Sequence, residues 1–370
     1  MKKVYLDYNA STPLAAEVVE AMMPFLSEHY GNPSALHWAG RGAREAYEKA
    51  REQVSALLGC SPGEVIFTSG GSESNNHALK GVFHTLKSRG KHIITTQIEH
   101  PAIVNPCEFL KTQGAQITYV GVDAYGQVSP SDIENAVTEN TILISVMHAN
   151  NETGVIQPLA EIAKIAQKHD LIFHTDAAQS AGKIPVKVNE LGADLLSLAG
   201  HKLYAPKGIG ALYIRAGTPL EPLVHGAGHE GGRRAGTENV LLAVGLGMAC
   251  ELAEQNPAGQ KMKELRDYFW QELQKLFPGR VVLNGPPEKR LPNTLNVNFI
   301  GKTGQEVLGQ IPQLAASTGS ACHAGSVELS PVLKAMRVDE EVGKGAIRFS
   351  LGRYTTKEEI DLVLEWLGFV

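Results

Sequence analysis

Between residues 41 and 58, Ala43, Tyr47, Ala50, Val54 and Leu57 recur at helical spacing and Gly59 follows, which predicts an amphipathic helix stopped by its glycine. Short β-rich runs come next, at Val65–Thr68, His92–Thr96, 117–122, 141–147 and 171–175, separated by helix-patterned stretches such as 159–169. This alternation implies an α/β fold, a mostly parallel sheet with helices on both faces. Two more strands, 195–198 and 211–214, bracket the segment 200–208, whose Gly200, Pro206 and Gly208 mark a loop. Loops between sheet strands commonly carry chemistry.

Beyond about residue 255 the order changes to a helix at 261–277, strands at 293–299 and Ala346–Ser350, and a closing helix whose capping box runs from Thr356 to Glu359. We read this part as a smaller α+β unit. The expected division is a large domain of residues 15–254 and a small domain made of 1–14 and 255–370.

Composition narrows the function classes. With 34 Lys and Arg against 39 Asp and Glu the chain carries a formal charge of −5, which gives no general attraction to phosphate backbones or anionic lipids. A nucleic-acid partner is not expected. The apolar stretch 240–250 is followed by Glu251 and falls short of the roughly 20 residues a membrane helix requires. Lys2 and Lys3 are followed by only a few apolar residues before Asp7, so no signal-peptide core forms and a cytoplasmic protein is expected. Cys60, Cys107, Cys250 and Cys322 show no paired spacing, so neither a metal site nor a disulfide framework is expected.

Two stretches carry candidate chemistry. After the Val65 run stands Ser69-Gly70-Gly71-Ser72-Glu73-Ser74-Asn75-Asn76, a glycine pair leading into a helix. Glycines let backbone N–H groups approach an anion, the helix N-terminus adds partial positive charge, and Ser72 offers a hydroxyl. The same string also suits a plain strand-to-helix turn. The 171–175 run leads into Asp176, at the strand end where ligands of open α/β sheets bind. Alone, Asp176 would read as a helix cap. Twenty-six residues later the next strand ends in His201-Lys202, which puts an amine and a carboxylate on one sheet edge. A lysine can bond an aldehyde cofactor, and an aspartate can keep the ring nitrogen of pyridoxal phosphate protonated.

At this point a family resemblance becomes specific. Asp176-x-x-Gln179, Gly200-His201-Lys202 and the string Gly-Gly-Arg-Arg-Ala-Gly-Thr-Glu-Asn at 231–239 resemble the class V aminotransferase group of pyridoxal-phosphate enzymes, and within it the cysteine desulfurases. Segments 5–13, 31–34, 99–102, 148–154 and 317–322 are similar to the same pattern, and the likeness runs from about residue 4 to the C-terminus.

The resemblance implies a fold-type I transferase that uses pyridoxal 5'-phosphate. It implies that Lys202 carries the cofactor, Asp176 pairs with its ring nitrogen, Gln179 reaches its phenolic oxygen, and His100 stacks on the ring and relays protons. Gly71, Ser72 and His201 would bind the phosphate, with Thr237 reaching in from the neighbouring subunit of a homodimer. Arg348 would take the substrate α-carboxylate, helped by Asn32 and by Asn151, which also borders the cofactor. The implied activity converts L-cysteine to L-alanine and leaves the sulfur as a persulfide on Cys322, for a sulfur-acceptor protein or scaffold. Iron–sulfur cluster assembly is one of several possible destinations. A selenocysteine lyase or cystine lyase of the same superfamily is the alternative.

Cys322 stands in a stretch of small residues, 315–325, expected to be a mobile loop, and mobility favours a nucleophile over a core thiol. Cys107 and Cys250 read as core residues, and Cys60 as inert. Two positions depart from the family pattern. Ala199 stands where many members carry a serine that serves the phosphate, and His323 follows the cysteine where relatives often carry a small hydroxyl residue.

Overall fold

The chain opens with a two-residue strand, β1 (Val4–Tyr5), and two helices, α1 (Ala16–Met22) and α2 (Trp38–Leu58), in a computed structural model. Residues 2–255, 257–318, 320–323 and 326–370 are described, and the side chains of 320–327 lie outside the description. The chain then enters a seven-stranded sheet: β2 (Val65–Thr68), β3 (His92–Thr96), β4 (Gln116–Val120), β5 (Thr141–Ser145), β6 (Ile172–Asp176), β7 (Leu195–Ala199) and β8 (Gly210–Ile214). Their spatial order is β2-β8-β7-β6-β5-β3-β4. β3, β4, β5, β6 and β7 run parallel, and β8 alone runs against its neighbours β7 and β2.

Strand residues divide between the two faces as the period of two requires. Ile66, Ile93, Leu143, Leu195 and Leu212 pack under helices α3 (Gly71–Leu86) and α4 (Pro101–Lys111), with Leu79, Val82, Phe83, Ile103 and Leu110. Phe67, Leu196, Leu198, Ala211 and Tyr213 face the other way, against α2 and the helix Val240–Gln255. Burial on both faces holds the sheet rigid, so the residues at its strand ends are fixed relative to one another.

After the helix Gly259–Leu276 the chain builds a four-stranded antiparallel sheet from β9 (Val281–Asn284), β10 (Thr294–Phe299), β12 (Ser317–Thr318) and β15 (Ala346–Ser350), in the order β12-β15-β10-β9. β11 (Leu314–Ala315) pairs in parallel with β1, which brings the N-terminal segment to this sheet. The helices Gly259–Leu276 and Lys357–Leu367 cover it through Phe269, Leu273, Ile360 and Val363.

One local expectation is corrected. The stretch 315–325 is not a plain loop: Ser320–His323 forms β13 and pairs antiparallel with β14 (Ser326–Leu329), with Cys322 opposite Val327. Cross-strand pairing needs only backbone N–H and C=O groups, so small side chains do not preclude it. The side chains of Cys322 and His323, and the roles expected of them, fall outside the described residues. Among the described residues, no helix is long and apolar enough to cross a membrane.

Candidate active site

The C-terminal ends of β2, β3, β5, β6 and β7 converge on one cavity of about 400 Å³. Gly71, Ser72, His100, Asn151, Asp176, Gln179, His201, Lys202 and Arg348 all line it. This is the edge of an open α/β sheet where ligands bind. Asn32 and Thr237 do not line it. Both are exposed in the single chain, and the Asn32 side chain accepts a local bond from Ser34 N (2.8 Å).

Asp176 closes β6 and is 7% exposed. Its Oδ2 accepts from Asn75 Nδ2 (2.6 Å) and its Oδ1 from Ala178 N (2.9 Å). It is therefore a strand residue held by two donors, not a helix cap. Asn75 lies four residues past Gly71 on α3, so one helix face carries both the N-terminal glycine and the residue that orients Asp176.

Lys202 ends a single 3-10 turn, Gly200–Lys202, that follows β7. Its Nζ donates to the carbonyl oxygens of Asn9 (2.5 Å) and Ala10 (2.8 Å). Burial pushes the amine down to about 8; the Arg348 charge adds to the shift, while Asp7 and Asp176 oppose it. Tyr204, two residues on, takes a left-handed φ of 65°, and its N–H donates to Thr12 Oγ1 (2.9 Å), so the backbone after the lysine is pinned.

His100 caps α4, and its Nδ1 accepts from Ala102 N (3.1 Å). That bond leaves the neutral ring's proton on Nε2. Desolvation lowers the imidazole below its usual value, Asp176 opposes that, and Lys202 reinforces it. The preceding Glu99 is buried, accepts from Thr96 Oγ1 (2.7 Å) and Met147 N (2.9 Å), and is pushed up to about 8 by burial with Asp176 adding.

Opposite the lysine stands Arg348 of β15, 9% exposed. Its Nη1 donates to Asn151 O (3.0 Å), and its Nη2 donates to Asp7 Oδ1 (2.8 Å) and Ser317 Oγ (3.0 Å). Its Nε is buried with no hydrogen-bond partner. Asp7, Ser317 and Asn75 were not read as site residues from the sequence. Their signal is weak, because what places them is a partner far along the chain.

The residues present fit pyridoxal phosphate. The first-turn N–H groups of α3 have no helical carbonyl to take them, and Gly71 leaves the approach open: a Cβ there would stand 3.2 Å from the Ala199 Cβ. The amine, the carboxylate and this anion cradle border a single cavity of a size that suits a cofactor. A buried arginine with an unpartnered Nε suits an additional carboxylate.

Residues 4–363 match the family described as Aminotransferase class-V, and the chain belongs to it. A cysteine desulfurase, IscS of Dictyoglomus turgidum, is 51% identical over 370 residues, which cover 99% of this chain and 94% of the relative. Among solved structures, a NifS-like protein superposes with a TM-score of 0.93 at 40% identity, covering 99% of this chain and 98% of that one. The structure of SspA in complex with cysteine gives a TM-score of 0.84 at 40% identity over 96% of this chain and 100% of that one. Within class V, the chain is a member of the cysteine desulfurase group.

Proposed function

We propose that this chain is a pyridoxal-phosphate-dependent cysteine desulfurase acting on L-cysteine, and that the residues around the cavity divide the work as follows. The observation that carries the reading is the convergence of the Lys202 amine, the Asp176 carboxylate, the α3 N-terminus and Arg348 on one cavity. Lys202 would hold the cofactor's aldehyde carbon, Asp176 its ring nitrogen, Gln179 its phenolic oxygen and His100 its ring face. Gly71, Ser72 and His201 would hold its phosphate, with Thr237 supplied by a second copy of the chain. Bound there, the cofactor supplies an electron sink beside the substrate's α-carbon.

Arg348 and Asn151 hold the substrate carboxylate, and the Asp7 and Ser317 contacts keep the guanidinium aimed. Lys202, neutral in a large fraction near pH 8, takes and returns the α-proton at Nζ. His100 carries an exchangeable proton at Nε2. The Cys322 thiolate attacks the substrate sulfur: an S–S bond forms, the Cβ–S bond breaks, and its electron pair and a proton end on Cβ. Thiol plus L-cysteine thus gives persulfide plus L-alanine, with atoms in balance.

A homodimer is part of the proposal. Leu36 (87% exposed) and Trp38 (79%) stand with Met23, Leu26 and Tyr30 as exposed apolar side chains between α1 and the start of α2, which supports a second copy covering them. A sulfur-acceptor protein would then collect the persulfide.

The test is incubation with L-cysteine, followed by mass analysis of the protein and assay of the medium. L-Alanine together with one added sulfur on Cys322 is expected; L-alanine with no sulfur on any cysteine would overturn the reading.

Two further outcomes are expected. In cofactor-stripped protein, the rate of capturing pyridoxal phosphate should rise as pH approaches 8 and level off above it, because only the neutral amine attacks an aldehyde. An ordinary lysine would still be gaining near pH 10. Stopped-flow absorbance reads the midpoint, and Arg348→Ala should move it upward. Secondly, Asp176→Asn keeps the shape but removes the charge facing the ring nitrogen, so turnover of the loaded protein should fall about 10²- to 10³-fold. Near-parental alanine formation by the folded, loaded variant would remove Asp176 from this role.

A further inference from the structure

Lys183 lies four residues beyond Gln179, in the turns that follow β6, and outside the cavity that Gln179 lines. Its Nζ donates to the Gln179 carbonyl oxygen (2.9 Å), to Gln179 Oε1 (3.1 Å) and to Asn9 Oδ1 (3.5 Å). Gln179 in turn gives Nε2 to the main-chain oxygen of Asn9 (3.0 Å), the same oxygen that receives Lys202 Nζ. The amine of Lys183 therefore stands directly behind the amide that borders the cavity.

The two ends of a carboxamide have nearly the same shape and opposite chemistry, so a flip costs no volume but exchanges a donor for an acceptor. Burial, with the Lys202 and Arg348 charges adding, pushes the Lys183 amine down to about 7; below that it is an ammonium group, which has donors only. Placed against Gln179, Lys183 selects the orientation with Oε1 toward itself and Nε2 toward Asn9 and the cavity. Asn9 is fixed independently: its Oδ1 accepts from Asn293 Nδ2 (2.9 Å), and its Nδ2 donates to Thr294 Oγ1 (2.8 Å) and Asn151 O (3.1 Å). Asn9 cannot turn to accommodate a flipped Gln179 without breaking that set.

We infer that Lys183 is a positioning residue that fixes which end of the Gln179 amide faces the cofactor's phenolic oxygen. The inference rests on the reading, given above, that Gln179 meets that oxygen. A donor at this position favours the oxygen in its anionic form; a flipped amide would set a carbonyl oxygen against it.

Lys183→Gln tests this, because glutamine fills the space and can bond Gln179 in either orientation, so only the selection is lost. Measured just below pH 7, where the Lys183 amine is charged, cofactor affinity by equilibrium dialysis should weaken about tenfold, the value of one directed hydrogen bond, and the absorption band of the bound cofactor should shift. Lys183→Arg, which keeps a donor-only cation, should restore both to near the parental values. Gln179→Met should show the same losses, and adding Lys183→Gln to it should cost nothing more. Thermal melts establish that each variant folds, with Lys183→Met used if the Gln variant does not. Parental affinity and spectrum in Lys183→Gln, or losses that add in the double variant, would overturn the inference. If Gln179→Met alone leaves affinity and spectrum unchanged, it is the placement of Gln179 against the cofactor that fails.

Discussion

Lys202→Ala is expected to reduce L-alanine formation from L-cysteine by about 10⁴-fold or more while leaving the protein folded. Among the described residues, Lys202 is the only lysine bordering the cavity. With Nζ gone, no described amine there can bond an aldehyde carbon, and the α-proton loses the base that His100 works with; neither Asp176 nor Arg348 substitutes. Asp176 is committed to Asn75 and to Ala178 N, and the Arg348 guanidinium to Asp7, Ser317 and the Asn151 carbonyl oxygen. The structural loss is small by comparison, because the Nζ bonds are to the Asn9 and Ala10 carbonyls, groups that water can serve; about 1 kcal/mol is expected in a thermal melt. Pyridoxal phosphate should still bind, more weakly, through its phosphate. Borohydride treatment of the parent protein followed by peptide mapping should label Lys202. A label on another lysine would reassign the role.

How much of this site the sequence reveals depends on the distance over which each residue finds its partner. Asp176 and Lys202 were legible because each follows a short apolar strand run, and consecutive parallel strands end on the same sheet edge whatever the details of packing. Gly71 and Ser72 were legible for the same reason, at the end of β2. Asn9 and Asp7 were not assigned roles, because their partners, Thr294 and Arg348, lie 285 and 341 residues away and no local period encodes such a contact. Lys183 is not legible although it is four residues from Gln179, since a lysine after a turn ordinarily reads as a solvated surface residue. The 315–325 stretch was read as a loop because its small residues lack strand propensity, and the hairpin pairing of β13 with β14 depends on backbone alone. Asn32 and Thr237 stand outside the cavity of one chain, which agrees with the expectation that Thr237 serves a neighbouring subunit but does not test it.

Cys322→Ala should separate the two halves of the reaction, leaving the first intact. The groups that bind substrate and move its α-proton are Arg348, Asn151, Lys202 and His100, which stand on the cavity wall, whereas Cys322 stands on β13. L-Cysteine should therefore still change the absorption spectrum of the loaded variant, with an amplitude near that of the parent. Sulfur extraction is different, because it needs a soft nucleophile that can take a sulfur atom while the Cβ–S electron pair stays with carbon. Water and hydroxyl groups attack divalent sulfur poorly, and among the described side chains the other cysteines do not serve: Cys107 and Cys250 are buried and burial holds their thiols far from ionisation, while Cys60 is pushed up to about 12 by burial with Glu64 adding. L-Alanine release should accordingly fall to about 1% or less of the parental rate, with no sulfur added to the protein by mass. Lys202→Ala should give the complementary pattern, losing the spectral response as well as the product. If Cys322→Ala makes L-alanine from L-cysteine at the parental rate, the sulfur leaves without a protein thiol, and the transfer step proposed here is wrong even though Lys202 and Asp176 keep their places.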